Sequence, residues 1–254
     1  MTALPHSLER TVVIQAPRDT VFQFLTRTAL WANWWGAGSS IDATPGGTMR
    51  ICYPGGILAS GHVVEVSAPE RIVFTYGFDS GTPIPSGSSR VTITLAQEPG
   101  GTRLTLTHDF DAVEVRDEHV QGWRYQLALF SNLVADLVNA NATGVVDAWF
   151  DLWANPNADA RASALREIAS PDLRFRDRYG HTNDLNDLLP HIEAAQRFMP
   201  GIRLRRSGTV RHCQGTVLVD WSASTADGQA RGSGTNVFVL DANAKIVSVT
   251  GFIT

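Results

Sequence analysis

Residues 61–76 read GHVVEVSAPERIVFTY, two runs rich in β-branched and aromatic residues on either side of Ala68-Pro69-Glu70. A proline between such runs marks a turn, so the stretch is predicted to be two antiparallel strands. Ile72, Phe74 and Tyr76 recur at period two and share one face. The same grammar extends in both directions. Pro45-Gly46-Gly47, Pro54-Gly55-Gly56, Pro85-Ser86-Gly87 and Pro99-Gly100-Gly101 divide residues 46–107 into short strands, with Val91, Ile93 and Leu95 on one face and Leu104 and Leu106 on another. A meander with one apolar face needs a covering layer. Val120, Trp123, Leu127, Phe130, Val134 and Leu137 recur at spacings of three and four, which predicts a long amphipathic helix across that sheet. Its start is expected just after the acidic pair Asp117-Glu118.

Upstream of the meander, Leu8 to Gln15 read as a strand, and Pro17 is placed to open a short helix that carries Val21, Phe22 and Leu25 on one side. Trp31, Trp34 and Trp35 follow, a cluster that ends at Gly36. Three tryptophans this close must be covered by a core or by a ligand, and the sequence leaves both open. His62 and His108 fall inside strand patterns and read as core or edge histidines, so no acid–base pair stands out in this half.

The chain has 254 residues, 43% hydrophobic and 18% charged, enough for one large domain or two ordinary ones with a core. A net charge of -4 and a pI near 5.9, with no run of basic residues, argue against nucleic acid as a partner. No stretch has the roughly 18 consecutive apolar residues of a membrane span, and the first residues lack a signal-peptide pattern, so a cytoplasmic protein is expected. Cys52 and Cys213 form no metal-ligand spacing, and the histidines at 6, 62, 108, 119, 181, 191 and 212 are scattered. No metal or cofactor is expected.

Taken in order, Ala16-Pro17, WANWWG, PGGTMR, GHVVEVSAPERIVFTY, GGTRLTLTH and GWRYQL resemble the activator of heat-shock-protein-90 ATPase homologue-like family of the START-like (SRPBCC) or helix-grip superfamily. The resemblance covers roughly residues 7–138. It implies a curved sheet gripping a long C-terminal helix around a hydrophobic cavity, without implying work on the chaperone. Trp34, Trp35 and Trp123 are then the candidates to line that cavity.

A break of small and polar residues, Asn139-Ala140-Asn141-Ala142-Thr143-Gly144, separates this pattern from the next, which sets the predicted domains at 1–140 and 143–254. Val145, Val146, Trp149, Phe150, Leu152 and Trp153 give a new apolar helix face, a second helix runs to Ile168, and a third runs from Asp184 to Phe198 before Pro200-Gly201. Four strand-like segments fill residues 202–254, separated by Gln214-Gly215, Asp227-Gly228 and Asp241-Ala242-Asn243. Between the second and third helices lies PDLRFRDRYGH, residues 171–181. Alternation puts Leu173, Phe175, Asp177 and Tyr179 on one face and three arginines on the other. Asp177 would then be desolvated among apolar neighbours, which favours its protonated form and suits a general acid or base near neutral pH. The alternative is a structural aspartate that caps a loop or pairs with an arginine.

Helices followed by a meander ending in KIVSVTGF resemble the nuclear transport factor 2-like superfamily, in particular its SnoaL-like branch, over about residues 143–254. The resemblance implies a cone-shaped sheet closed by helices over a pocket. Within it, PDLRFRDRYG is similar to the ketosteroid isomerase segment that carries the general base, which would make Asp177 that base. GTNVFVL is similar to the strand that holds an oxyanion donor, with Asn236 at that position, and Trp149 stands where the family has a tyrosine. His181 either assists or is a loop residue.

These readings combine into an α+β, two-domain protein that handles a lipophilic small molecule. Isomerisation or aldol-type cyclisation in the second domain would use Asp177, Asn236 and His181 as catalytic residues, with Trp149, Phe175, Tyr179 and Trp221 against the ligand. The alternatives are a non-catalytic carrier and a stress- or chaperone-associated interaction module. A homodimer through the second domain accompanies the family resemblance.

Overall fold

In the computed structural model, which describes residues 4–254, packing divides the chain into a unit ending at Ala135 and a unit from Asp136 to Thr254. The strands of the first unit are β1 (His6–Ile14), β2 (Ser40–Ile41), β3 (Thr48–Cys52), β4 (Leu58–Ser67), β5 (Arg71–Tyr76), β6 (Ser89–Glu98) and β7 (Gly101–Phe110). They form one sheet in the order β1-β7-β6-β5-β4-β3-β2, antiparallel throughout. The first strand closes against the last, so β1 meets β7 with His6 opposite Phe110 and Ile14 opposite Thr102. As the alternation predicts, Ile72, Phe74, Tyr76, Val91, Ile93, Leu95, Leu104 and Leu106 are all buried.

Pro17, with φ -59°, stands just before helix α1 (Arg18–Thr26), where its missing N–H costs no intrahelical bond. Helix α2 (Thr28–Trp35) carries the three tryptophans, all buried. It stops at Gly36, whose φ of +121° favours glycine and where a Cβ would sit 2.5 Å from the carbonyl oxygen of Cys52. The close approach brings the end of α2 against the end of β3. The long helix α3 (Val113–Val138) starts earlier than expected, so Asp117 and Glu118 lie inside it and Glu114 occupies the acidic first turn. Leu137, expected on its apolar stripe, is exposed, while Trp123, Gln126, Leu127, Phe130, Ser131 and Val134 are buried. Phe130 meets the rings of Phe24 and Trp34 edge-on at 5.9 and 4.8 Å, and Trp31 meets Phe74 at 5.7 Å. One aromatic core thus joins α1, α2, α3 and the inner sheet face.

The expected break at 139–144 is shorter in the fold, because α4 (Ala142–Ala154) already begins at Ala142. Helix α5 (Ala158–Ile168) is capped by Asn157, whose Oδ1 accepts from the N–H of Ala160 at 2.9 Å. Strand β8 (Ala169–Arg176) and the short β9 (His181–Thr182) precede α6 (Leu185–Phe198), which Asp184 caps through the N–H of Asp187. The meander follows as β10 (Arg203–Cys213), β11 (Thr216–Ser224), β12 (Ala230–Leu240) and β13 (Ile246–Ile253). The sheet order is β10-β11-β12-β13-β8-β9, with β13 and β8 parallel. Trp149, Phe150, Leu173, Phe175, Leu188, Ile192, Val219, Trp221, Phe238 and Val249 belong to one buried cluster between helices and sheet.

Arg161, only 3% exposed, ties this unit's helices together. Its Nη1 donates to the carbonyl of Asn155 at 2.7 Å and to Oε1 of Gln196 at 3.1 Å, while Nε2 of Gln196 donates to the carbonyls of Trp153 and Asn155. The cation therefore sits against the C-terminal carbonyls of α4, where the helix dipole is negative.

Among the described residues, no helix is long and apolar enough to cross a membrane, and no group of three or more His, Cys, Asp and Glu residues could hold a metal ion.

Candidate ligand-binding site

A cavity of about 390 Å³ opens in the first unit, walled by Trp34 and Trp35 of α2, Tyr53 after β3, Tyr76 of β5, and His119 and Trp123 of α3. The walls are mostly rings at contact distance. Trp35 stands 4.3 Å from Trp34, 5.8 Å from Tyr53 and 5.6 Å from Trp123, centroid to centroid. The volume lies in the range of small-molecule pockets, and rings held by their neighbours suit a flat apolar guest. None of the lining residues carries a carboxylate, an ammonium or a guanidinium. Gly122 contributes a gap in the α3 wall, since a Cβ there would meet nothing within 4 Å.

The three tryptophan N–H groups nearest the cavity are used differently. Nε1 of Trp34 donates to the carbonyl of Phe24 at 3.1 Å, and Gln126 donates to the carbonyl of Trp34, so this ring is fixed as core. Nε1 of Trp123 donates to Nδ1 of His108 at 2.9 Å. Nε1 of Trp35 is buried without a partner.

Deeper in the wall, alternation along β7 turns His108 inward, where it is fully buried. Its Nδ1 accepts from Trp123, so Nε2 carries the proton and donates to Oγ of Ser89 at 2.8 Å, which in turn donates to the carbonyl of Tyr76. Burial holds its pKa well below the ordinary imidazole value, and the nearby His119 pushes in the same direction. His108 is a neutral, fully bonded core histidine. His119 differs. Its Nδ1 lies 2.8 Å from the carbonyl of Val115 one turn back, and a carbonyl can only accept, so Nδ1 carries the proton and Nε2 bears the lone pair. That Nε2 is buried without a partner, and burial lowers the group's pKa against the smaller opposing effect of the Val115 carbonyl. The hydroxyls of Tyr53 and Tyr76 bond each other at 2.9 Å. Burial pushes the Tyr53 phenol up to about 12 and raises Tyr76 further, so both stay neutral.

Sequence reasoning named Trp34, Trp35 and Trp123 for this cavity and missed His119, Tyr53 and Tyr76. His119 lies four residues before Trp123, on the same helical stripe. His119 stands at the start of the expected helix, one residue before the apolar stripe that begins at Val120, so the pattern does not single it out.

In the second unit Leu173 and Phe175 point inward and Arg174 and Arg176 outward, as predicted. The alternation does not extend to Asp177 and Tyr179, because β8 ends at Arg176 and the chain turns. Asp177 is half-buried, and its Oδ1 accepts from the N–H groups of Tyr179 at 2.7 Å and Gly180 at 3.0 Å. It holds the turn as an Asx residue does. Tyr179, expected beside Leu173 and Phe175, is 71% exposed. His181 is exposed on β9, opposite Arg176.

Asn236 is buried on the inner face of β12, in register with Gly251 of β13. A Cβ on Gly251 would lie 3.1 Å from Oδ1 of Asn236 and 3.2 Å from Cβ of Asp177, so the glycine lets both residues pack closely against β13. The indole N–H of Trp221 can only donate, and it reaches Oδ1 of Asn236 at 3.0 Å. The oxygen of the amide therefore lies against Gly251 and Trp221, whereas the donor that the family resemblance asks of Asn236 is at the other end of the group. Trp149 is buried, with its ring 6.0 Å from Phe175 and 5.8 Å from Phe238. His191, which sequence reasoning passed over, packs its ring 5.5 Å from Phe175, and a Cβ on Gly180 would lie 2.9 Å from its Cε1.

The chain is thus an α+β protein with a ring-lined cavity in its first unit. Residues 15–135 match the family model described as "Activator of Hsp90 ATPase homolog 1-like protein". No curated protein matches the chain. Similar solved structures include a SnoaL-like family protein from Agrobacterium tumefaciens strain C58, 21% identical, with a TM-score of 0.43 over 44% of this chain and 96% of that one. CalU16 from Micromonospora echinospora is 23% identical, with a TM-score of 0.42 over 50% of this chain and 75% of that one. The Aha1 dimer from Colwellia psychrerythraea is 16% identical, with a TM-score of 0.42 over 48% and 90%.

Proposed function

We propose that the chain binds a neutral lipophilic small molecule, and that the cavity of the first unit receives it. The observation that carries this reading is the 390 Å³ space walled by Trp34, Trp35, Tyr53, Tyr76 and Trp123, with no charged side chain in its lining. An uncharged guest would lose little solvation on entering such a site. In this reading the first unit is a helix-grip domain closed by α3, the second a SnoaL-like domain, and the division near residues 140–143 separates two folding units. A fragment of residues 1–140 then unfolds cooperatively, and loss of any thermal transition would refute the division. The binding reading is tested by titrating the full chain with the neutral fluorescent probe N-phenyl-1-naphthylamine. Saturable emission enhancement is expected, together with quenching of tryptophan fluorescence; an unsaturable response would refute it.

A second reading, proton-transfer isomerisation or cyclisation in the second unit, is favoured by one observation: Asp177 and Asn236 both pack against Gly251 and so lie close together. Asp177 would be the base there, with Asn236, Trp149 and His181 around it. The oxygen of Asn236 lying on the side of Gly251 and Trp221 weighs against its role as oxyanion donor. Isomerisation of 3-cyclohexenone by the full chain tests the reading, since Asp177→Asn keeps an acceptor for the turn but cannot take up the proton. Turnover that survives the substitution removes Asp177 as base. Dimerisation through the second unit is a further part of this reading, and light scattering showing a monomer at micromolar concentration would exclude it.

A further inference from the structure

The cavity has a covered floor and an open mouth. Trp34, Trp35, Tyr76 and Trp123 are buried, whereas Asn33, Pro54, Gly122 and Tyr125 are exposed, Tyr125 by 69%. One polar side chain of the wall combines a fixed direction with a reachable atom. Nε2 of Gln126 donates to the carbonyl of Trp34 near the end of α2, and a carbonyl only accepts, so the amide oxygen is the end that points away. That Oε1 meets no donor among the described residues. Unlike Nε2 of His119 and Nε1 of Trp35, it is not sealed inside protein. Gln126 is only 9% exposed, and Gly122 and Leu129, its neighbours one turn away in either direction, also line the cavity. The surface that Gln126 keeps therefore belongs to the cavity side of α3. Asn33 carries the other carboxamide of the lining, exposed and without a hydrogen bond among the described residues, so either of its ends can turn inward. Both carboxamides stand at the Trp34 end of the cavity, since Asn33 precedes Trp34 and Gln126 is bonded to it.

We infer that the guest is amphipathic and enters rings first, with a neutral hydroxyl or amide N–H at its trailing end that donates to Oε1 of Gln126. Its apolar rings lie on Trp35, Tyr76 and Trp123, and the oxygen of its polar end accepts from Asn33. Because the Trp34 carbonyl holds the Gln126 amide in one orientation, the wall presents an acceptor and cannot turn to present a donor. A guest that offers only a lone pair there is disfavoured, as a site built for a hydroxyl disfavours the analogue without its proton. This assignment rests on the cavity being the binding site and adds the group that selects the ligand.

The test measures displacement of N-phenyl-1-naphthylamine from the full chain at neutral pH by 2-naphthalenemethanol, by its methyl ether and by 2-ethylnaphthalene. The alcohol and the ether share rings and an oxygen and differ in the donor. The alcohol is expected to bind about fivefold tighter than the ether, the effect of one hydrogen bond to an open acceptor, although the ether is the more apolar molecule. Gln126→Met keeps the length of the side chain without its oxygen and brings that ratio to one. The ratio, unlike the affinities themselves, does not depend on how far losing the Trp34 bond loosens the wall. Asn33→Ala, at an exposed position, weakens the alcohol and the ether alike and leaves 2-ethylnaphthalene unchanged. An ether that binds as tightly as the alcohol, or a preference that survives Gln126→Met, overturns the Gln126 assignment while the cavity reading stands. Failure of all three to displace the probe overturns both.

Discussion

Nε1 of Trp123 donates to Nδ1 of His108 at 2.9 Å, and this bond decides which imidazole nitrogen holds the proton. The helix thereby fixes the tautomer of a residue on the sheet, and Ser89 takes the remaining proton. Protonating His108 would break the Trp123 bond and bury a cation.

Stability of the first unit should therefore fall in acid. The folded pKa of His108 lies below its unfolded value of about 6.5, so the unfolded chain binds the extra proton first. Its contribution is fully present above the unfolded value and declines as pH falls below it, by up to about 1.4 kcal/mol per pH unit until the folded value is reached. Denaturant unfolding followed across that window should show the slope, and His108→Gln should flatten it. An unchanged slope in the variant would assign the acid sensitivity elsewhere.

Gly122→Leu should separate binding from folding. The glycine is helical, and a Cβ there meets nothing within 4 Å, so the side chain projects into open space at the cavity wall. Helix propensity favours the change by up to about 1 kcal/mol. Chemical denaturation should find the variant as stable as the parent or more so, while N-phenyl-1-naphthylamine binding is lost.

Adjacent tryptophans should respond unequally to the same substitution. Trp34→Phe leaves the carbonyl of Phe24 without its donor, whereas Trp35→Phe removes an N–H that had no protein partner. Trp34→Phe is expected to be the more destabilising by roughly 1–3 kcal/mol, the cost of a buried group left unsatisfied. Equal midpoint shifts in urea would contradict the assignment of Trp34 to core.

Arg161→Met should weaken the second unit specifically. It strands Oε1 of Gln196 and removes one of the two donors to the carbonyl of Asn155, for a loss of about 1–3 kcal/mol. Hydrogen exchange should show the change in α4, α5 and α6 before it appears in the first unit.

Much of the architecture was legible in the chain because backbone periodicity is local. The strands from Arg71–Tyr76 to Gly101–Phe110, the apolar stripe from Trp123 to Val134, and the inward Leu173 and Phe175 all follow from spacing alone. Helix ends were less legible. Nothing near Asp117-Glu118 says that the helix has already begun at Val113, and an apolar stripe read from Val120 onward does not single out His119 as a wall residue. The alternation that set Asp177 beside Phe175 failed because β8 runs out at Arg176 and the chain turns there, with the N–H of Asp177 donating to the carbonyl of Gly180 at 2.9 Å. The sequence by itself determined which faces are apolar and where strands and helices fall, since those depend on neighbours a few residues away. Only the tertiary structure decided which polar atoms have partners. Trp34 is bonded and Trp35 is not because the carbonyl of Phe24 lies within reach of one indole alone, and His119 keeps a bare lone pair because the chain folds rings around it. Hydrogen-bond satisfaction depends on distances between remote segments, and no spacing in a sequence encodes them.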